Sequence, residues 1–174
     1  PWDFKARSRD GLGDDWPISY DDLAPYYDRV DDLIGIFGSA EGLPNEPDGR
    51  FLPAPRPRCY ELLVKQACDN LKVACIPARL SILTQPLGNR PACHYCGQCN
   101  RGCAVNANFS STNVLLPPAM ATGRLTMITN AMAREVATDA QGLATGVHYI
   151  DKATGKDTFV AAKVVVLAAS ACES

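Results

Sequence analysis

Residues 125–169 read LTMITN AMAREVATDA QGLATGVHYI DKATGKDTFV AAKVVVLAA and carry the pattern that decides the fold. Runs of alternating, β-branched or continuously apolar residues predict five short strands, at 125–129, 131–138, 145–150, 157–162 and 164–168. Polar, glycine-containing turns at 139–142 and 154–156 connect successive runs, so we expect a β-meander. The last run is apolar on both faces, which predicts a strand buried in a layered α/β sheet.

Helical patterns precede the meander. Ser19 and Asp22 form an approximate capping box, and apolar residues recur at helical spacing from residue 20 to about residue 37. Pro25 suits the start of a helical turn, so a short helix running into a longer one is expected. Further helices are predicted at 60–71 and after Ser110 or Ser111. Residues 1–18 are predicted to be irregular, 38–58 to form an extended loop and 75–83 a strand. The fold class is therefore α/β, with an α+β arrangement in this chain.

Four cysteines lie close together in the sequence, namely Cys93, Cys96, Cys99 and Cys103. Their spacing, C-x2-C-x2-C-x3-C, is the one with which bacterial ferredoxins ligate iron–sulfur clusters. Glycines at 97 and 102 allow the backbone to wrap a cluster closely. A three-iron cluster on Cys93, Cys99 and Cys103, with Cys96 spare, is as compatible as a four-iron cluster.

Three other interpretations of this loop stay open. A structural zinc site usually draws its cysteine pairs from positions a dozen or more residues apart, so the compact spacing disfavours zinc. Disulfides occur in exported proteins, but adjacent bridges in so short a loop would be strained. Unrelated free thiols are the third interpretation. The other cysteines, Cys59, Cys68, Cys75 and Cys172, are interpreted as ordinary small buried residues.

Composition and missing motifs narrow the function further. The 174 residues carry a formal net charge of -2, and no basic stripe suggests nucleic acid. No apolar stretch is long enough to span a membrane. A glycine-rich dinucleotide fingerprint is absent, and His94 and His148 are too few for a self-contained acid–base site. The chain opens on Pro1 without a methionine and ends just after an apolar run, so we expect it to be part of a longer protein.

Three stretches together resemble the glucose–methanol–choline (GMC) family of flavin oxidoreductases. Residues 15–27, DWPISYDDLAPYY, resemble the segment that opens the family's substrate domain. Residues 111–119, STNVLLPPA, are similar to the helix before its returning flavin-domain strands. The meander and the run at 164–171 resemble the strands that lead to a turn beside the flavin. The resemblance implies a partial substrate domain over 1–110, with the cysteine loop at 93–103, and a partial Rossmann-like FAD-binding domain over 111–174.

The cysteine loop resembles the iron–sulfur branch of that family, the catalytic subunits of sugar and gluconate-type dehydrogenases. There a C-x5-C-x3-C set, matched here by Cys93, Cys99 and Cys103, holds a three-iron cluster. The resemblance also implies that the backbone near Ala133 touches the adenine of FAD. Small residues would lie beside the cofactor, at Ala168, Ala169, Ser170 and Ala171. Position 170 is a glycine in the family pattern, where a tight turn calls for a positive φ.

The implied reaction is oxidation of an alcohol or sugar by hydride transfer to FAD. The cluster would pass electrons singly to an external acceptor such as cytochrome c. The catalytic residues are expected outside this chain. A small exported partner subunit and a periplasmic location also follow from the resemblance. The alternatives are a non-catalytic zinc-binding module and a GMC oxidase in which the cysteine loop is structural.

Overall fold

The computed structural model describes residues 1–170, so Ala171 and Cys172 lie outside the described residues. The chain forms two compact units, Pro1–Thr122 and a second that begins at Gly123. Helices lie in the first unit and a three-stranded sheet in the second. The fold class is mixed α/β, as predicted. Within residues 1–170, no helix is both long and apolar enough to cross a membrane.

The first unit begins with more regular structure than the sequence suggested. A 3-10 turn at Trp2–Lys5 continues into the short helix α1, Ala6–Asp10, which ends at Gly11 with a φ of +79°. The prediction of an irregular segment over 1–18 is therefore wrong for its first half. Phe4 and Trp16 stack edge to face across this segment, and the Trp16 N–H donates to the Phe4 carbonyl. This tertiary pairing holds the helical turns together.

The next helix, α2 (Tyr20–Ile34), is a single helix that contains Pro25. The expected break does not occur, although Pro25 is the sixth residue of the helix and cannot donate the bond to the Asp21 carbonyl that an N–H there would make. The Ser19–Asp22 capping box is confirmed: the Asp22 N–H donates to Ser19 Oγ, and the Ser19 N–H donates to Asp22 Oδ2. None of the α2 residues is buried, although its periodicity predicts a packed face.

The core of the first unit lies after α2. Strands β1 (Phe37–Gly38) and β2 (Leu52–Pro53) pair in parallel, and Phe37 also pairs with Leu80. The buried apolar side chains of the described residues are Phe37, Leu83 and Ala107. Gly35 ends α2 with a φ of +76°, and a Cβ at that position would overlap the Leu83 side chain. This glycine therefore permits both the reversal and the close approach.

Helix α3 (Cys59–Asn70) confirms the predicted second helix. The segment 75–83 is not a strand: only Leu80 and Ile82 form isolated bridges, to Phe37 and Asn108. An extended segment becomes a strand only where a neighbour pairs along its length, and here two different neighbours each supply one bridge. Ser110 caps a π-helical turn at Ser111–Leu115, which continues into α4 (Leu116–Ala121), as predicted.

The second unit is the predicted meander. Strands β3 (Ala131–Thr138), β4 (Ala144–Asp151) and β5 (Asp157–Ala161) are antiparallel and lie in chain order. The Asp139 carboxylate accepts N–H bonds within the first turn, and Asp151 does the same in the second. On one side of the sheet, Asp157 links His148, at 3.0 Å, to Arg134, at 2.9 Å.

Two predicted strands of this region are wrong. Residues 125–129 and 164–168 have no ladder pairing in the described part of the chain. The latter segment is exposed instead of buried, with Val164 at 77% and Val166 at 81% exposure. Its apolar pattern suits a strand with neighbours on both sides, but pairing ends where the Ala162 N–H donates to the Thr145 carbonyl.

Candidate functional site

The cysteine loop is anchored at both ends on Leu83, which has 0% exposure. The Cys93 N–H donates to the Leu83 carbonyl at 2.8 Å, and the Leu83 N–H donates to the Ala107 carbonyl at 3.0 Å. Because both bonds involve one fully buried residue, the start and the end of the loop lie side by side. The segment between them forms a loop that leaves the core of the first unit and returns to it at the same place.

A buried arginine fixes the returning arm of this loop. Arg90 is 8% exposed, and its guanidinium donates to the Asn106 carbonyl at 2.9 Å and to the Ala107 carbonyl at 3.4 Å. A third bond, at 2.9 Å, reaches the Ile34 carbonyl at the end of α2. Burial lowers the pKa of Arg90, and the neighbouring Cys103 opposes this shift. One side chain therefore ties the loop to the helix that precedes the core.

The loop reverses direction several times. Tyr95, Gly97, Gly102 and Asn106 all have a positive φ, between +56° and +95°. The two glycines have the conformations for which they were singled out, and Tyr95 and Asn106 adopt the same region without being glycine. A residue other than glycine with a positive φ costs of order 1–2 kcal/mol. The anchors at both ends must therefore hold the loop backbone in this conformation.

Cys103 lies inside the last of these turns. The Asn108 N–H donates to Cys103 Sγ at 3.5 Å, and this bond is the largest cause of a lowered pKa at the Cys103 thiol. Further backbone N–H groups, those of Val105, Ala107 and Asn106, act in the same direction. The Cys93 sulfur also accepts a backbone hydrogen bond, from the Tyr95 N–H at 3.3 Å. Successive N–H groups directed at a sulfur stabilise the thiolate, the form that binds metals.

All four loop cysteines line one cavity of about 790 Å³. Other lining residues come from α3 and from the segment after it, and include Cys75. Arg58 and Tyr60 stand at the start of α3, where the Arg58 side chain donates to the Tyr60 hydroxyl at 2.9 Å. The cavity therefore combines an apolar wall with several thiols and a cationic group.

Two observations describe the state of the loop cysteines. Among residues 1–170, no three His, Cys, Asp or Glu side chains are gathered closely enough to form a metal site. The described cysteines are all free thiols, so the loop contains no disulfide in this structure. The four loop thiols line one cavity and two of their sulfurs accept backbone N–H bonds, and thiolates are the ligands by which proteins hold iron–sulfur clusters.

The residues assigned to FAD lie in the second unit. Ala133 pairs with Tyr149, and the register of β3 shifts directly after it, between Ala133 and Glu135. Such a bulge interrupts the ladder and leaves backbone groups for another partner. Ala168 and Ala169 are exposed, and Ser170 has a φ of +76°. Ser170 thus has the positive φ that the family pattern meets with a glycine.

The sequence did not predict that two residues, Arg90 and Cys75, belong to the site. Arg90 bonds only to backbone carbonyls, and any residue type supplies a carbonyl, so no pattern of side chains marks its role. Cys75 lines the cavity because the chain folds back after α3. The prediction of ordinary buried residues is wrong for Cys59, which is exposed, and Cys68 and Cys75 are only half-buried.

Comparison with known proteins agrees with the family resemblance of the sequence. The family described as GMC oxidoreductase matches residues 15–174. The chain is 35% identical over 175 residues to 2-methyl-1,2-propanediol dehydrogenase of Mycolicibacterium austroafricanum, covering 98% of this chain and 31% of that protein. It is 28% identical to 6'''-hydroxyparomomycin C oxidase of Streptomyces lividus, covering 100% and 33%. It is 26% identical to the fructose dehydrogenase large subunit of Gluconobacter japonicus, covering 100% and 32%. The chain thus spans about a third of the length of these relatives.

Proposed function

Because the chain belongs to the GMC oxidoreductase family, we propose that it is part of an FAD-dependent enzyme that oxidises the CH–OH group of an alcohol or sugar. The observation that carries this proposal is the family match over residues 15–174. The relatives' names support the substrate class, since a diol, an aminoglycoside and fructose all offer hydroxyl-bearing carbons.

Bound FAD would supply the acceptor for a hydride from the carbon of the alcohol. Residues of this chain would contribute to holding it. The bulge beside Ala133 offers backbone N–H and C=O groups to the adenine ring. The small, exposed side chains of Ala168 and Ala169 and the positive φ of Ser170 support a close approach of the cofactor there. Ala171 is assigned with them by the resemblance alone. These contacts bind and orient, and the proton-transfer groups are expected elsewhere in the protein.

We further propose that Cys93, Cys96, Cys99 and Cys103 hold an iron–sulfur cluster in the intact enzyme. The shared cavity, the free thiols and the N–H bonds to Cys93 and Cys103 support this assignment. A cluster at this position would supply single-electron transfer to an external acceptor such as cytochrome c. Because no three of these side chains form a metal site in the structure, binding requires the loop to close around the cluster.

The resemblance also favours an exported, periplasmic enzyme with a small partner subunit. One relative, the fructose dehydrogenase, is itself named as a large subunit. Co-purification of the full-length protein from its native host, followed by fractionation of the cell, tests both proposals.

Two measurements on the full-length protein test the oxidoreductase proposal. We expect bound FAD in the purified protein, and bleaching of its absorbance on anaerobic addition of a hydroxyl compound from a panel of diols, sugars and sugar acids. Reduction of an artificial dye should accompany the bleaching. Protein that contains no flavin, or whose flavin no member of the panel reduces, would contradict the proposal.

Iron and acid-labile sulfide, measured with an EPR spectrum on anaerobically purified protein, test the cluster. About three iron atoms per chain would leave Cys96 spare, and about four would include it. Cys99→Ser should lower the iron content, whereas the matched control Cys59→Ser, on exposed α3, should not. Stoichiometric zinc without iron would support the zinc module. Full iron-free activity that yields hydrogen peroxide would support an oxidase with a structural loop.

A further inference from the structure

The bulge in β3 consists of one extra residue, Arg134. Ala133 pairs with Tyr149 of β4. His148, the adjacent residue of β4, pairs with Glu135, so Arg134 has no residue opposite it. In a regular strand, consecutive side chains point to opposite faces of the sheet. An extra residue interrupts this alternation, so the arginine and the glutamate that follows it can share one face.

The contacts of Arg134 show that they do. Its Nη2 atom is 3.2 Å from the Glu135 carboxylate, so two consecutive side chains meet on one face of the sheet. The same nitrogen is 2.9 Å from Oδ2 of Asp157, on β5. Because β4 lies between β3 and β5, the arginine side chain crosses the middle strand to reach this carboxylate.

Asp157 therefore joins all three strands. Its second oxygen, Oδ1, is 3.0 Å from Nδ1 of His148 on β4. A carboxylate only accepts hydrogen bonds, so Nδ1 of the imidazole carries the hydrogen in this contact. Both partners of Asp157 belong to the bulge, since Arg134 is its extra residue and His148 lies opposite its second residue. One side chain at the start of β5 thus holds the bulge from across the sheet.

An aromatic ring supports the histidine of this network. The ring centroids of His148 and Phe159 are 4.9 Å apart, and the rings are tilted by 43°. Phe159 is opposite His148 in the register of β4 and β5, and its ring occupies space that a side chain at Gly146 would need. The imidazole is therefore fixed by ring packing as well as by the carboxylate, unlike a charged side chain that contacts only solvent.

We propose that Asp157 is a positioning residue for the adenine end of FAD. It acts through Arg134 and His148, which hold the bulge whose free backbone groups, beside Ala133, are assigned to the adenine ring. This role rests on the proposed binding of FAD and adds to it a network of side chains that acts through the backbone of β3.

The physical reason is the cost of an unsupported bulge. A bulge interrupts the ladder, and a strand without side-chain restraints can shift its register to restore the missing bonds. A shifted β3 would pair the backbone groups that the bulge leaves for the cofactor. FAD would then bind only the fraction of molecules that keep the bulge, and its apparent affinity would fall by that fraction.

Variants of the full-length protein test this role. Asp157→Asn keeps the shape of the side chain and removes its charge, and Arg134→Gln removes the cation at the other end of the network. Lys152→Gln is the matched control, because it removes an exposed charge from the turn between β4 and β5. Each protein is freed of flavin, the dissociation constant for FAD is measured by titration, and amide exchange of residues 131–138 is followed without and with saturating FAD.

We expect Asp157→Asn and Arg134→Gln each to raise the dissociation constant for FAD by about fivefold, a modest factor because the network is partly exposed. Amide protection of 131–138 should fall by a similar factor without FAD. Saturating FAD should restore the wild-type protection, since a ligand that requires the bulge also stabilises it. Lys152→Gln should bind FAD as the wild type does.

Three results would overturn the proposal, and they separate it from the proposed function. Wild-type protein that binds no FAD would contradict both. Wild-type binding together with a change of less than about twofold in both variants would leave the function standing and remove the role of Asp157. A loss of protection that is equal with and without FAD would show that the network only stabilises the sheet. If Asp157→Asn also loses the protection of α3 in the first unit, and so does not fold, Arg134→Gln decides the question.

Discussion

Replacing Arg90 by alanine would remove the side chain that ties the cysteine loop to the core. Its guanidinium makes two bonds at 2.9 Å and one at 3.4 Å, to three carbonyls that have different positions in the sequence. A hydrogen bond to a charged group contributes about 1.5–3 kcal/mol. Removing the buried charge also relieves its desolvation, so we expect a net loss of about 3 kcal/mol in the free energy of local opening.

Hydrogen exchange measures the free energy of local opening at the residues of the loop themselves. A loss of about 3 kcal/mol corresponds to a decrease of about a hundredfold in amide protection, because each 1.4 kcal/mol is about a factor of ten. We expect this decrease in peptides covering residues 103–109, whose carbonyls at 106 and 107 accept from Arg90. Peptides from β4 in the second unit should keep their protection, since opening is local.

Two variants complete the experiment. Arg56→Ala removes an exposed arginine and should leave protection of residues 103–109 unchanged. Arg90→Lys keeps the charge but lacks the planar fork that reaches three carbonyls, so we expect an intermediate loss. If Arg90→Ala changes the protection of 103–109 by less than about threefold, or by no more than Arg56→Ala does, the role assigned to this side chain is wrong.

Four further predictions concern the fold. We expect Gly35→Ala to lower the free energy of unfolding by about 2–4 kcal/mol, measured by urea denaturation, because a positive φ is strained and the new methyl overlaps Leu83. Ser19→Ala should cost about 1 kcal/mol through loss of the α2 cap, measured by thermal unfolding. Hydrogen bonds from Ser19 lower the pKa of Asp22 from its ordinary 3.8. The Asp22 carboxylate therefore makes its full contribution to the free energy of unfolding above that pH, and this contribution is lost as the pH falls below it. Asp22→Asn should remove this acid dependence. Gly146→Ala should abolish pairing of β4 with β5, seen as loss of amide protection, because a Cβ there overlaps β5.

Matched controls separate the causes. Gly11 also has a positive φ, of +79°, but a Cβ there meets nothing within 4 Å. An equal loss in Gly11→Ala would show that the Leu83 contact at Gly35 is unimportant. Asp21→Asn, in the same helical turn but outside the capping box, should retain the acid dependence. Unchanged protection of β5 in the Gly146 variant would contradict the predicted overlap.

The elements whose causes are local were predictable from the sequence. The capping box at Ser19 acts over three residues, and the meander turns at Asp139 and Asp151 act over two to four. Side-chain-to-backbone bonds of this kind need no distant partner, so the residues that form them also reveal them. The cysteine spacing is local in the same sense, and it correctly marked Gly97 and Gly102 as positions of unusual backbone conformation.

Tertiary structure alone decided the rest, because the deciding contacts join residues far apart in the chain. Whether residues 164–168 form a strand depends on neighbours that pair with them, and their apolar pattern cannot supply those neighbours. The loop is held by Arg90 through the carbonyl of Ile34, 56 residues away. Cys75 lines the same cavity as the four loop cysteines, although it follows α3 and they belong to a separate loop. The sequence by itself determined the family, the local elements and the thiols, and the packing around Leu83 and the turn after α3 determined which of them lie together.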